Sequence, residues 1–424
     1  MLDLKAIRED PERYRRALAR RSPDLGGDVG RLLELDAERR RLTTEVEELR
    51  AEQNRTSKAV GAARGGEKER LISSVRASSD RLKELEPRLV AAEEELRTVL
   101  ARIPNVPHES VPEGETDEDN ALVREVGEAP SFGFEPRDHV ELGAALGLID
   151  LERAAAVSGS RFAYLLGDGV LLQWALVRFC LDRLMPKGFV PVVPPVLVRE
   201  EAMYGTGFLP TDEAQLYVTR EDDLYLVGTS EVPLAGLHMG DILEPESLPR
   251  RYVGYSTCFR REAGAHGKDT RGIFRVHQFD KVEMYSFTQP EGSWDEHEFL
   301  LSCEEEIVQA LELPYRVVNV CTGELGAAAA KKFDIEVWLP GQDRYRELTS
   351  CSNTTDYQAR RLESRVRLED GNRPAHTLNG TACAIGRTLI ALLENHQAED
   401  GSVAIPEALR PYLPEGLSVL RSAR

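Results

Sequence analysis

Between residues 32 and 99 apolar residues recur on a seven-residue frame, twice over. Leu35, Leu42 and Leu49 fall seven apart, with Leu32 and Val46 between them. Leu85, Ala92 and Val99 repeat the spacing, interleaved with Val75, Leu82, Leu89 and Leu96. Such a period belongs to two helices wound along a narrow seam. The segment between them, NRTSKAVGAARGGEKER (54–70), holds glycines that break the frame. The pattern predicts two helices folded back as an antiparallel coiled coil. About 30 residues per helix make a rod of roughly 45 Å. Pro87 falls inside the second helix and is expected to kink it. Arg55, Lys58, Arg64, Lys68 and Arg70 cluster near the tip, where they suit phosphates. A dimerisation coiled coil would show the same periodicity.

A chain of 424 residues has room for two or three domains. Its net charge of −19 argues against a nucleic-acid partner at first sight, but the charge is uneven. Residues 1–103 carry +2 and the rest −21, so a nucleic-acid ligand is compatible if it touches mainly the arm. A plain salt-bridged helix pair on an acidic protein fits the charge equally well. The six cysteines (180, 258, 303, 321, 351 and 383) contain no CxxC pair and read as reduced, buried thiols, with no zinc expected. His266 and His277 lack ligand spacing. The N-terminus is charged from its first residues, so no signal peptide is expected. The most apolar stretch, 170–185, is interrupted by Gln173, Arg178, Asp182 and Arg183; no membrane span fits, and a cytoplasmic location is expected.

Residues 103–135 are rich in Pro and Glu and read as a linker. From 166 to 187 the pattern is a helix apolar nearly all round, closed by Gly188 and followed by a strand over 190–195. Such a helix belongs in a core or a subunit interface. Strand-like runs recur at 224–227, 251–259, 278–286, 315–320, 335–339 and 346–350, with helical patterns at 296–311 and 381–395. The expected body is therefore α+β: a mostly antiparallel sheet flanked by helices.

Four clusters carry chemistry. Cys258-Phe259-Arg260-Arg261-Glu262 ends one strand, and Val276-His277-Gln278-Phe279-Asp280-Lys281-Val282-Glu283 opens the next. Strand alternation would place Arg260 and Glu262 on one face, opposite Phe259 and Arg261. An arginine fork there could bridge a carboxylate and a phosphate, or merely form a cross-strand ion pair. The chain has no GxxxxGK[ST] loop, so any ATP must be held by arginines and metal. Thr229-Ser230-Glu231 offers a hydroxyl and a carboxylate to an ammonium group, or simply caps a helix. Glu347 and Ser350 are hard oxygen donors suited to Mg²⁺, or a strand end with its turn. Asn379-Gly380-Thr381 is expected to open the last long helix, with Arg387 about two turns in; the pair suits an anion, or is a cap and a surface arginine.

Taken in order, these pieces resemble class II aminoacyl-tRNA synthetases, and among them the bacterial-type seryl-tRNA synthetases. LDLKAIREDPE and the arm are similar to that family's tRNA-binding domain; the apolar helix with its strand is similar to motif 1. CFRREAGAHGKDTRGIFRVHQFDKVEMY resembles motif 2 and NGTACAIGRTLIALLEN motif 3, while MYGTGFLP, GTSE, FDIEVWLPGQDRYRELTSCSN and DYQARR also match. The resemblance spans essentially the whole chain. It implies a tRNA-binding domain over 1–110, a linker over 111–137 and a class II catalytic domain over 138–424. It further implies a homodimer that joins L-serine to tRNA(Ser), and to selenocysteine tRNA where one exists, through a seryl-adenylate made from ATP with Mg²⁺. By the same resemblance Arg260 bridges the α-phosphate and the serine carboxylate, Glu262 meets the adenine amino group, Phe279 stacks on adenine and Arg387 covers its other face. Arg275 would contact the terminal phosphates, and Glu347 and Ser350 would hold Mg²⁺. Thr229, Glu231, Glu283 and Thr381 would surround serine, with Asn379 in support. Thr381 stands where many members carry Ser, and Ala382-Cys383-Ala384 is less usual, which leaves room for a specialised paralogue. A carrier-protein ligase would lack the arm, and a non-catalytic homologue would have lost Arg260, Glu262, Glu347 or Arg387.

Overall fold

The computed structural model describes residues 1–264 and 271–422. They form two compact units, one over 2–104 and one beginning at Asn105. In the first, α1 (Leu4–Glu9) starts where Asp3 accepts a hydrogen bond from Lys5 N at 2.8 Å, and α2 (Pro11–Ala19) where Asp10 accepts from Arg13 N at 3.1 Å. The arm follows as α3 (Pro23–Val60) and α4 (Gly65–Arg102), 38 residues each. Each helix is about 57 Å long, longer than expected, because only 61–64 turn the chain: Gly65 and Gly66 enter α4 instead of the loop. Pro87 lies within α4 without ending it.

The seam is the one the heptads describe. Leu42, Val46, Leu82, Leu85 and Ala92 are buried together, with Leu49 and Leu89 against them. Charged pairs flank the seam: Arg50–Glu86 at 2.7 Å, Arg81–Glu45 at 2.9 Å, Arg88–Glu38 at 3.5 Å, and Arg31 with Glu95. Toward the turn this changes. Arg55, Lys58, Arg64, Lys68 and Arg70 are exposed, and no ion pair to any of them is found among the described residues.

The second unit is built on an eight-stranded sheet: β1 (Ala121–Val126), β2 (Phe189–Val192), β3 (Arg250–Phe259), β4 (Gln278–Thr288), β5 (Tyr315–Asn319), β6 (Lys331–Leu339), β7 (Arg344–Thr355) and β8 (His376–Ala384), in the order β1-β5-β6-β7-β8-β4-β3-β2. All neighbours are antiparallel except β2 and β3, which run parallel. The segment expected as a linker thus contains an edge strand. Paired on one side only, β1 stays mostly exposed although four of its six residues are apolar, and its short run is lost among the Pro- and Glu-rich residues around it.

Side chains alternate across the sheet. From β4 and β6, Val282, Met284, Phe333, Ile335 and Val337 enter a core shared with α5 (Asp168–Leu184), α7 (Ser293–Ala310) and α8 (Ile385–Asn395). The helix expected over 166–187 is α5 plus a single 3₁₀ turn, and Gly188 closes it at φ 90°. It is buried along Leu172, Leu176, Phe179 and Cys180, whereas Leu171 and Trp174 are exposed. The last helix differs from expectation: residues 379–384 belong to β8, and α8 starts at Ile385. Pairing to β4 from Asn379 to Ala384, and to β7 at Asn379 and Gly380, overrides the helical pattern read there.

Candidate active site

The opposite face of the sheet is open and polar. Phe279, Lys281 and Glu283 project from β4 at two-residue spacing, and Asn379 and Thr381 stand beside them on β8, where Glu283 pairs with Thr381. One cleft is lined by Thr229, Glu231, Arg260, Glu262, Arg275, Phe279, Glu347, Ser350, Asn379, Thr381 and Arg387. Glu283 does not line the cleft itself but lies fully buried, bonded to Asn379 and Thr381, which do. The structure therefore brings every residue of the sequence-based set together.

At one end is a polar pocket. Thr229 Oγ1 accepts from Glu231 N at 3.2 Å at the start of α6 (Glu231–Gly236). Ser230, the nominal cap of that helix, instead bonds Ser256 Oγ at 2.7 Å. Gln358 donates to Glu231 Oε1 at 2.7 Å, and Asn379 to Oε2 at 3.3 Å. Burial, and secondarily the charge of Glu283, raise the Glu231 carboxyl to about 7, although Gln358 pulls it down. Thr381 donates to Glu283 at 3.3 Å and Asn379 to its other oxygen at 3.4 Å.

In the centre, Arg260 Nε donates to Gly228 O at 3.2 Å, and its guanidinium lies 5.2 Å from the Phe279 ring centre. The alternation expected for Arg260 and Glu262 does not hold. Strand β3 ends at Phe259, and Glu262 adopts φ 49°, a left-handed conformation uncommon without glycine. That turn, not strand pleating, brings its carboxylate into the cleft, where Arg275 binds it at 3.2 Å. Arg275 Nε is buried without a hydrogen-bond partner among the described residues.

At the far end, Arg387, the third residue of α8, donates to Glu347 O at 2.9 Å and contacts Glu347 Oε1 at 3.3 Å. Ser350 Oγ donates to the same carboxylate oxygen at 3.3 Å. Crowding by surrounding atoms alone would raise Glu347, but Arg387, Lys332 and Arg260 outweigh it and hold the carboxyl at about 2. An ionised carboxylate beside a hydroxyl is the donor set that Mg²⁺ takes.

Sequence reasoning missed Lys281, Phe274 and Gln358. Two-residue spacing between Phe279 and Glu283 would have found the lysine. Phe274 packs under both Arg346 and Arg387, 4.1 and 4.6 Å from ring centre to guanidinium. His277 bonds Arg260 O at 3.0 Å, a structural contact; His266 lies outside the described residues. All six cysteines are buried and unpaired.

Residues 1–107 match the seryl-tRNA synthetase N-terminal domain, and residues 216–396 match the tRNA synthetase class II core domain (G, H, P, S and T). The serine–tRNA ligase of Acidothermus cellulolyticus is 52% identical over 424 residues, the full length of both chains. The crystal structure of seryl-tRNA synthetase from Pyrococcus horikoshii complexed with ATP covers all of both chains with a TM-score of 0.94 at 44% identity. The cytoplasmic serine–tRNA ligase of Naegleria fowleri in complex with AMP covers this chain completely and 99% of its own, with a TM-score of 0.88 at 37% identity. From its heptad arm to its three-part cleft, this chain belongs to the seryl-tRNA synthetase family.

Proposed function

We propose that the cleft activates L-serine with ATP and transfers it to tRNA(Ser). The chain is a serine–tRNA ligase that works through a seryl-adenylate. The observation that carries the site assignment is the row of groups along one face of the sheet: a carboxylate pocket, a central arginine on an aromatic ring, and an arginine–carboxylate pair beyond.

In this reading the serine ammonium enters between Thr229 and Glu231, its hydroxyl meets Glu283 and Thr381, and Asn379 ties the two carboxylates together. Arg260 holds the serine carboxylate against the α-phosphate and stabilises the charge that develops as the carboxylate attacks and pyrophosphate leaves. Phe279 and Arg387 sandwich adenine, Glu262 accepts from its amino group, and Arg275, which lines the same cleft, contacts the terminal phosphates. The class uses ATP with Mg²⁺; Glu347 and Ser350 would hold it, and it would neutralise phosphate charge. No side-chain nucleophile is required. The 3′-terminal adenosine hydroxyl of the tRNA then attacks the adenylate carbonyl.

The domain assignment puts tRNA binding in 1–110 and chemistry in 138–424. The exposed, unpaired cations at the arm's tip support phosphate contacts there. Where a selenocysteine tRNA exists, it would be a further acceptor. Exposed Leu171 and Trp174 of α5, with Val190 on β2 and Val193 just after it, support a homodimer through this face. No helix among the described residues is long and apolar enough to cross a membrane, in keeping with a cytoplasmic enzyme. The test is pyrophosphate exchange with each of the twenty amino acids, followed by transfer to total tRNA. Serine alone should support both steps; exchange with another amino acid in preference to serine would overturn the reading.

A further inference from the structure

Lysine is seldom buried unless its charge is matched, and Lys281 is only 7% exposed. It stands on the cleft face of β4 between Phe279 and Glu283, and so between the adenine platform and the serine pocket. Its Nζ contacts Glu283 Oε2. Two other carboxyl groups feel the charge of Glu283: Glu231 of α6 and, from the core side of the sheet, the fully buried Glu304 of α7. Cys258 of β3 and Cys351 of β7 are within its electrostatic reach, and Arg260 acts on Glu231. Lys281 thus pairs with Glu283 and acts electrostatically on the other two acids, and without it Glu283 would be a buried charge near like charges.

A carboxylate offers about four lone-pair positions. On Glu283, Lys281 takes one, Thr381 takes a second at 3.3 Å and Asn379 a third at 3.4 Å. One position remains. Building on the serine reading above, we propose that Lys281 is a positioning residue for substrate specificity. By pairing with Glu283 it fixes that carboxylate as an acceptor whose remaining lone pair takes the hydroxyl of the incoming amino acid. An amino acid without a hydroxyl leaves that lone pair unmatched in a buried site, which is the arrangement that rejects close analogues most strongly.

Calorimetric affinities for seryl- and alanyl-sulfamoyladenosine, with the KM for ATP in pyrophosphate exchange, test the idea on wild type, Lys281→Met, Lys281→Gln and Lys281→Arg. The expected result for Lys281→Met is weaker binding of the seryl analogue with little change for the alanyl one, so that the preference shrinks on the order of tenfold or more. The KM for ATP should move by less than about twofold, and Lys281→Arg should restore part of the preference. Equal loss for both analogues with a raised KM for ATP would assign the ammonium to the α-phosphate instead and overturn the proposal. So would an unchanged preference in a folded variant. If Lys281→Met does not fold, Lys281→Gln, neutral but still a donor, carries the comparison. A wild type that prefers neither analogue would instead refute the serine reading itself.

Discussion

Arg387 grips Glu347 twice, through the backbone carbonyl at 2.9 Å and the side-chain carboxylate at 3.3 Å. The contact ties the start of α8 to β7 across the far end of the cleft. It also means that an arginine proposed to cover adenine is already oriented before ATP arrives, which lowers the ordering cost of binding.

Removing that arginine should therefore hurt ATP use more than folding. Arg387→Ala is expected to raise the KM for ATP and lower kcat, together costing on the order of 10²-fold in kcat/KM. A partly exposed pair contributes only about 0–1 kcal/mol, so the melting temperature should shift by no more than a few degrees. Pyrophosphate exchange and a thermal melt on the same preparation check both halves.

Arg260→Ala should abolish adenylate formation in a folded protein. One guanidinium is asked to serve both reactants, and losing a donor aimed at developing charge costs about 3–4 kcal/mol or more. Near-normal exchange by a well-folded variant would remove Arg260 from the centre of the mechanism.

Glu231, raised to about 7 chiefly by burial and then by Glu283, links serine affinity to pH. The ammonium needs the ionised form, so kcat/KM for serine should climb as pH rises toward 7 and level off above it. Glu231→Gln should flatten that profile as well as weaken binding. The stability of the substrate-free protein should run the other way. A carboxyl whose folded pKa is raised binds its proton more tightly folded than unfolded, so stability falls as pH rises from the ordinary carboxyl range to about 7. Denaturant titrations across that window, on wild type and Glu231→Gln, read the difference.

Gly380 lies between Asn379 and Thr381, and a methyl added there would sit 2.8 Å from Glu304 Oε1 and 3.2 Å from Met284 Cε. Both neighbours are fully buried. Gly380→Ala should destabilise by about 1–3 kcal/mol and weaken serine activation by displacing its two neighbours. Urea denaturation and the KM for serine measure the two effects.

Replacing residues 38–96 with a short Gly/Ser linker should leave serine-dependent pyrophosphate exchange close to wild type while aminoacylation collapses through a raised KM for tRNA. Changing Arg55, Arg64, Lys68 and Arg70 to Gln in the intact arm should weaken tRNA binding and flatten its salt dependence. Unimpaired charging by the deletion variant would sink the arm's assignment.

What could be read from residues and what could not divides along physical lines. The heptads and the alternation of β4 were legible because burial on one face writes its period into the sequence. The start of α8 was not, since 379–384 carries small residues that fit either element and only its distant pairing, to β4 throughout and to β7 at 379 and 380, makes it a strand. Strand alternation does not account for Glu262: a left-handed turn brings it beside Arg260 in the cleft, and glutamate gives no local signal for that conformation. Strand β1 hid in a segment of linker-like composition because an edge strand need bury little. Gln358, whose amide supports Glu231, stood inside a recognised motif, but its partner is 127 positions away in sequence.

The arm's charges are distributed unevenly along its length. Along the shaft Arg31, Arg50, Arg81 and Arg88 are spent on glutamates of the facing helix, whereas the cations at the turn have no ion pair among the described residues. The shaft is then electrically quiet and the far end sticky, separated by a length the heptads set. Such a rod acts as a gauge. If the tip cations meet phosphates as proposed, removing one heptad from each helix would preserve the seam yet draw that contact back by about 10 Å, and an RNA would be accepted for where its backbone lies and not for which bases it carries there.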